Sequence, residues 1–262
     1  PALAQGFAVI SQDSGHSNQL NADPAKGGAV SFGMDAEARA DYGHASLKLS
    51  YDAARAIMLR FYGSDPAYSY FAGCSKGGQE GMAFAQRYPD SFDGIIAGAP
   101  GFSLPKAAIA EAWDTQAFAS VIPAGQDVSL AALSATFSDA DLGIARQAVL
   151  EACDADDGLT DGAVNAFGQC SSAKVMPRLR ARQCTGAKTD SCLSKAQIDA
   201  LEKSHAGPHN GKGEALYASF PWDAGLSDLG WRMWKIGAPG QAGRPPMPAI
   251  NASMGAPALA TI

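Results

Sequence analysis

The chain has 262 residues, of which 47% are apolar and 18% are charged, and its formal net charge is -6. This apolar share is sufficient for a buried core and argues against wholesale disorder. No run of Lys or Arg is present, which disfavours a nucleic-acid partner. No uninterrupted stretch of ~18 apolar residues predicts a membrane-spanning helix.

Strands and helices alternate in the first hundred residues. GFAVISQD (residues 6–13) is a short apolar run with β-branched members and predicts a buried strand. Residues 35–62 have the spacing of a helix that is closed by Gly63, and SYFAG (69–73) predicts the next strand. A helix over 76–88 and a buried strand within FDGIIAGAP (92–100) follow. This order predicts parallel pairing in an α/β core.

The composition and the hydrophobic pattern of the sequence change after Pro105. Helical patterns over 139–152 and 194–204 are separated by long stretches that contain Gly, Asp, Cys and Pro. We therefore expect residues 1–105 to form the α/β part and residues 106–262 to form a second, largely helical and loop-rich domain.

The stretch FAGCSKGGQEG places Ser75 in a G-x-S-x-G motif between a predicted strand and a predicted helix. This is the context of a nucleophile elbow, whose strained turn requires small neighbours. Gly73, Gly77 and Gly78 supply them. The backbone N–H of Lys76 would point at the oxyanion of an acyl-transfer intermediate. The alternative is an ordinary Gly-rich turn from strand to helix.

A nucleophilic serine needs a histidine base and an acid that orients it, in the chain order Ser, acid, His. Only His205 and His209 follow Ser75, and both lie in the polar stretch HAGPHNG, which predicts a solvated loop. His16 follows the first predicted strand and could lie near the site, but it precedes the serine. His44 lies on a predicted helix and is expected to pack or to face solvent. The sequence therefore offers no convincing base.

Four of the five cysteines lie within 40 residues of one another in a polar region. Their clustering predicts local disulfides and hence an oxidising compartment, so that a secreted or periplasmic protein is expected. Zinc is the competing interpretation, but no C-x-x-C and no neighbouring His pair supports it. The clustered residues are Cys153, Cys170, Cys184 and Cys192, and Cys74 is left over.

The stretch CDADDGLTDGAV (153–164) is dense in carboxylates. Clustered carboxylates repel one another unless a hard cation neutralises them, and calcium prefers such oxygen ligands. Gly158 and Gly162 allow the backbone to bend so that carbonyl oxygens can face an ion. The spacing is not that of an EF-hand, and the alternative is an acidic surface turn. The acids are Asp154, Asp156, Asp157 and Asp161.

Several of these segments together resemble the tannase/feruloyl esterase family. They are DSGHSN, DYGHASLKLSYDAARAIMLRFYG, GCSKGGQEG, RYPDSFDGIIAGAPG, CDADDGLTDGAV and CTGAKTDSC. The resemblance implies an α/β-hydrolase core with a large helical lid domain inserted after the third strand. It also implies a serine carboxylic ester hydrolase that acts through an acyl-enzyme on esters of aromatic acids, with feruloyl, galloyl and terephthalate monoesters as candidates. No organic cofactor is implied.

The same resemblance implies roles for individual residues. Cys74 would pair with a cysteine directly after the catalytic histidine. That histidine, the acid and a second oxyanion donor would lie outside this chain, which is then expected to be a piece lacking both ends and inactive alone. Cys184 would pair with Cys192. Structural calcium would be held by the side chains of Asp154, Asp157 and Asp161 and by the carbonyl oxygens of Leu159 and Ala163.

The stretch GWRMWKIG (230–237) resembles a segment of the family's lid that faces the substrate. Trp231 or Trp234 could then stack on an aromatic ring, although packing of both in the lid core is the alternative. Arg232 or Arg244 could pair with a substrate carboxylate. The rival to an esterase is a catalytically inactive, calcium-stabilised binding protein with a hydrolase fold. The two differ in whether an acid and a His-Cys pair follow this chain.

Overall fold

The computed structural model describes residues 2–17, 28–240 and 245–261. The chain divides into two compact units, one comprising Pro1–Leu104 with Ala260–Ile262 and the other Pro105–Leu259. The strands are β1 (Tyr70–Cys74) and β2 (Gly94–Gly98). The α-helices are α1 (Ala36–Ala40), α2 (Ser46–Tyr62), α3 (Lys76–Arg87), α4 (Leu104–Ala119), α5 (Leu130–Ser134), α6 (Asp139–Cys153), α7 (Ser172–Arg180), α8 (Lys195–Ala206), α9 (Leu229–Lys235) and α10 (Ile250–Thr261).

The first unit contains a parallel pair of strands that confirms the predicted β-α-β arrangement. β1 and β2 pair in register from Tyr70 with Gly94 to Cys74 with Gly98, and α3 connects them. Phe84 of α3 packs against Phe71 of β1, with ring centroids 5.3 Å apart, and edge-on against Phe92, two residues before β2, at 4.8 Å. This packing holds α3 against the strands through apolar contact.

Two of the strand predictions need correction. Residues 7–13 form no strand, and Phe7, Val9 and Ile10 are exposed. Within the described residues no segment pairs with them, and a strand exists only through its ladder of hydrogen bonds. Strand β2 forms as predicted, but it is not buried on both faces, because Ile96 is 70% exposed.

The long helix predicted over 35–62 is present with an interruption. Helices α1 and α2 are joined by a π-helical segment, Asp41–Ala45. The side chain of Asp35 accepts hydrogen bonds from the N–H groups of Glu37 and Ala38 and caps the start. Gly63 adopts φ +75° and ends α2, as predicted. A π-helical turn inside an α-helix often marks a functional region.

The second unit is helical, with α6 and α8 at the predicted positions. Both helices begin with a capping box, formed by Ser138 with Asp141 and by Ser194 with Gln197. Their inner faces meet in an apolar core around Trp222, Phe118, Phe137, Leu142, Leu179, Leu193, Ile198 and Leu201. The described part of this unit contains no named strand.

Candidate active site

Ser75 lies at the turn between β1 and α3 in a strained backbone conformation. Its φ is 60° and its ψ is -114°, a left-handed geometry that non-glycine residues rarely adopt. The Ser75 N–H donates to the carbonyl oxygen of Gly98 at 3.0 Å, which fixes the turn to the end of β2. The residue is exposed. A strained, exposed serine between strand and helix is the local geometry of a nucleophile elbow.

The glycines around Ser75 do not share one role. A Cβ at Gly73 would overlap the backbone of Gly77, and a Cβ at Gly78 would overlap the Gly98 carbonyl and lie 2.9 Å from Pro100 Cα. A Cβ at Gly77 would meet nothing within 4 Å. The close approach of α3 to the strands therefore requires Gly73 and Gly78, whereas the expectation that Gly77 must be small is wrong.

Lys76 is the first residue of α3. The first N–H groups of a helix have no partner within it and carry the positive end of the helix dipole. The first bond of the helical ladder is the one that the Gln79 N–H donates to the Ser75 carbonyl at 3.0 Å, so that the Lys76 N–H precedes the ladder. The Lys76 N–H thus follows the serine directly and is able to bind a developing negative charge.

The side chain of Lys76 contacts the π-helical segment. Its Nζ donates to the carbonyl oxygen of Tyr42 at 2.7 Å and lies 4.1 Å from the centroid of the Tyr42 ring. Glu80 Oε1 is 3.5 Å from the same nitrogen. Burial lowers the pKa of Lys76, opposed by the charge of Glu80. Sequence analysis missed this contact, since a backbone acceptor 34 residues away leaves no pattern in the sequence.

Among the described residues, no histidine is hydrogen-bonded to the side chain of Ser75. His205 is not in a solvated loop as expected. It lies in the last turn of α8 and is 6% exposed. Its ring stacks on Trp222 with ring centroids 3.6 Å apart, and its Nδ1 bonds to the Leu201 carbonyl at 2.9 Å. Burial lowers its pKa to about 4. His209 is half-buried, with Nδ1 2.9 Å from the carbonyl oxygen of Gly207.

The two histidines that precede Ser75 belong to the packing of the first unit. His16 stacks on Phe32 at 3.9 Å and lies edge-on to Tyr42 at 5.5 Å. It therefore touches the same tyrosine that holds Lys76. His44 lies in the π-helical segment, and its Nδ1 is buried without a hydrogen-bond partner among the described residues.

The five cysteines separate into two bridges and one free thiol. Cys153–Cys170 and Cys184–Cys192 are disulfide-bonded, which confirms local bridges and removes these thiols as zinc ligands. Cys74 is exposed and free. Its pairing with a cysteine outside this chain stays a prediction.

The acidic loop is folded by hydrogen bonds from its own backbone. The Gly162 N–H donates to Asp154 at 3.1 Å, and the Ala163 N–H donates to Asp161 at 3.1 Å. Asp157 accepts from Leu159 at 2.9 Å, and this bond lowers the pKa of its carboxyl. Gly158 and Gly162 are the left-handed bends, at φ +92° and +83°.

Asp156 stands apart from the other acids of this loop, because it pairs with Lys174 at 2.8 Å. Across residues 2–17, 28–240 and 245–261, no three His, Cys, Asp or Glu side chains are placed so that they could hold a metal ion. The loop contains hard oxygen donors and left-handed bends of the kind that calcium sites use, but Asp154, Asp157 and Asp161 do not form such a group here. The calcium ligand set stays a prediction.

The candidate substrate residues of the second unit differ in exposure. Trp231 packs on the core, edge-on to Phe118 at 5.7 Å, whereas Trp234 is 45% exposed. Arg232 is buried and donates to the carbonyl oxygens of Phe137 at 2.9 Å and Ser134 at 2.8 Å. Its guanidinium is therefore occupied by the core, and the expectation that it binds a substrate carboxylate is wrong. Arg244 lies outside the described residues.

Residues 1–251 match the family model described as tannase and feruloyl esterase. Over 250 residues the chain is 44% identical to a mono(2-hydroxyethyl) terephthalate hydrolase from Piscinibacter sakaiensis, covering 90% of this chain and 42% of that protein. It is 28% identical to a probable feruloyl esterase B-2 from Aspergillus flavus, covering 82% and 37%. The crystal structure of an esterase from Aspergillus oryzae superposes with a TM-score of 0.54 at 28% identity, covering 70% of this chain and 34% of that one.

The chain spans about two fifths of the length of these curated relatives. In the part of the chain that the structure describes, no helix is long and apolar enough to cross a membrane.

Proposed function

Because the chain belongs to the tannase and feruloyl esterase family, we propose that it carries the nucleophile of a serine carboxylic ester hydrolase that cleaves esters of aromatic acids. The observation that carries the proposal is the backbone of Ser75, an exposed serine at φ 60° between a parallel strand and a helix. Strain of this kind persists at functional sites because the surrounding structure holds it.

In the proposed reaction Ser75 Oγ attacks the ester carbonyl carbon, and a histidine supplied outside this chain accepts its proton. The carbonyl oxygen becomes an oxyanion, to which the Lys76 N–H donates a hydrogen bond. Collapse of the tetrahedral intermediate breaks the ester bond, and the alcohol leaves with the proton returned by the histidine. Water then attacks the acyl-enzyme and releases the aromatic acid.

The second unit is proposed as the lid that holds the aromatic acyl group. The relatives support this substrate class, since one is named a mono(2-hydroxyethyl) terephthalate hydrolase and another a probable feruloyl esterase. Trp234 is the stronger candidate for stacking on the substrate ring, because its side chain is exposed. The packing of Trp231 on Phe118 supports a structural role.

Calcium is proposed as a structural ion of the second unit, bound by Asp154, Asp157 and Asp161 with the carbonyl oxygens of Leu159 and Ala163. The bends at the two loop glycines and the pairing of Asp156 with Lys174 support this ligand set. The two disulfides support an oxidising compartment, and hence a secreted or periplasmic protein.

Replacement of Ser75 in the full-length protein tests the proposal. We expect Ser75→Ala to abolish ester hydrolysis and to leave the unfolding midpoint unchanged, because the side chain is exposed. Ser64→Ala, at an exposed serine after α2, is the matched control and should retain wild-type turnover. Residual turnover of Ser75→Ala above a tenth of wild type would contradict the assignment.

The same assay distinguishes among the three candidate substrates, and it distinguishes the esterase from the inactive binding protein. Rates measured side by side on feruloyl, galloyl and terephthalate monoesters identify the acyl group that the lid prefers. Wild-type protein that binds these esters with no hydrolysis above the buffer rate would instead support the inactive, calcium-stabilised binding protein.

A further inference from the structure

We propose that the side chain of Lys76 is a positioning residue for its own backbone N–H, because it ties the first turn of α3 to the π-helical segment at Tyr42. This inference rests on the proposed function of Ser75 and deepens it. It assigns to one residue two tasks: the N–H binds the oxyanion, and the ammonium group holds that N–H in place.

The contact is of a strong type. The Lys76 ammonium donates at 2.7 Å to a backbone carbonyl, and it lies 4.1 Å from the centroid of the ring of the same residue, Tyr42. Charge-assisted hydrogen bonds are shorter and stronger than neutral ones, and a cation over an aromatic face adds to them. The side chain is only 28% exposed, so that water competes weakly for the ammonium.

The acceptor lies on a well-packed part of the first unit. The ring of Tyr42 is 5.2 Å from Phe32 and 5.5 Å from His16, which stack on each other. The adjoining Asp41 carbonyl accepts a hydrogen bond from Ser46 Oγ at 2.7 Å. A Cβ added at Gly15 would lie 2.7 Å from Asp41 Cβ, so that the preceding loop also approaches closely. Lys76 is thus attached to a segment supported on several sides.

The turn at Ser75 is otherwise attached only toward β2, as far as its described contacts show. The Ser75 N–H is bound to Gly98 and Gly78 packs against Pro100, and both contacts face the end of β2. The Lys76 side chain supplies the corresponding contact to the helical segment before β1. Without it we expect the first turn of α3 to retain its fold but to hold the Lys76 N–H less accurately. Loss of a whole oxyanion donor lowers kcat by roughly 10²–10³, so misalignment should lower it less.

Lys76→Met in the full-length protein tests the inference, because methionine retains the length of the chain and removes the charge and the donor. We expect kcat to fall about tenfold with KM within about twofold, the pattern of an interaction made in the transition state. The inhibition constant of a boronic acid that forms a tetrahedral adduct on the serine should rise by the same factor. Lys76→Arg should recover most of the activity.

Lys48→Met is the matched control. Like Lys76, Lys48 pairs with an acidic residue four positions later, which is Asp52. Its Nζ lies 5.7 Å from the centroid of the Tyr51 ring. Its nitrogen bonds only to Asp52 among the described residues, and we expect wild-type kinetics.

The outcomes separate the two proposals. If Ser75→Ala is inactive while Lys76→Met retains wild-type kcat and inhibitor affinity, the positioning role is wrong and the esterase stands. If Lys76→Met raises KM with kcat unchanged, the side chain binds substrate instead, which also overturns the inference. If Ser75→Ala remains active, the proposed function fails first.

Discussion

Burial of His205 should make the second unit sensitive to acid. The ring stacks on Trp222 and bonds through Nδ1 to the Leu201 carbonyl, and burial, assisted by the charge of Lys235, lowers its pKa from 6.5 to about 4. At pH values between these two pKa values, the imidazole is protonated in the unfolded chain and neutral in the folded protein. Folding stability therefore decreases as the pH falls through this window and is fully present above it.

The magnitude follows from the width of the window. Each pH unit within this window changes the free energy of unfolding by about 1.4 kcal/mol. Because His205 stays neutral in the folded protein and is protonated in the unfolded chain, the free energy of unfolding should be about 2.5 kcal/mol lower at pH 4.5 than at pH 7.5. His205→Phe retains an aromatic ring against Trp222 and removes the titration. The variant should therefore not show this decrease in the free energy of unfolding at low pH, although it lacks the hydrogen bond to Leu201 at every pH.

Two measurements check this prediction in the full-length protein. Urea denaturation followed by tryptophan fluorescence, at pH 7.5 and 4.5, compares wild type with the variant. NMR titration of the imidazole resonances, with His205→Phe assigning the signal, reads the folded-state pKa directly. A folded-state titration midpoint of His205 near pH 6.5 would refute the reasoning, because the ring would then be hydrated. An equal decrease in the free energy of unfolding at pH 4.5 in both proteins would refute it as well.

Three further results are expected. Gly78→Ala should lower the unfolding free energy by about 1–3 kcal/mol, because the new Cβ overlaps the Gly98 carbonyl; Gly77→Ala, which meets open space, is the control, and equal losses would contradict the account of the elbow. Chelation of calcium should lower the thermal midpoint of the wild type but not of Asp157→Asn, and an unchanged wild type would remove the calcium proposal. Trp234→Ala should raise KM more than kcat falls, whereas unchanged kinetics would place the substrate ring elsewhere.

The sequence predicted the elbow because its signals are local. The apolar run SYFAG, the G-x-S-x-G motif and the helix formers after it each describe one element, and the structure contains all three in that order. The same kind of apolar run failed at residues 6–13, because a strand also needs a partner that its own residues do not specify. Periodicity and composition therefore identified elements better than pairings.

Long-range contacts explain the remaining errors. HAGPHNG is polar and predicted a loop, yet α8 continues to Ala206 and Trp222 covers His205. Arg232 resembles a surface residue in sequence, but its acceptors are carbonyl groups 95 and 98 residues earlier in the chain. Neither outcome has a local pattern, since each depends on which helices meet in the core.

The two disulfides have a consequence for the order of biosynthesis. They join cysteines that follow each other in sequence, at separations of 17 and 8 residues, so that neither loop encloses the other. Each bridge can therefore form as soon as its second cysteine is exposed to an oxidant, without waiting for a cysteine later in the chain. Cys74 precedes all four of them in the chain, and its thiol stays free in the structure. Correct pairing therefore requires that Cys153 bond to Cys170 rather than to the earlier thiol of Cys74.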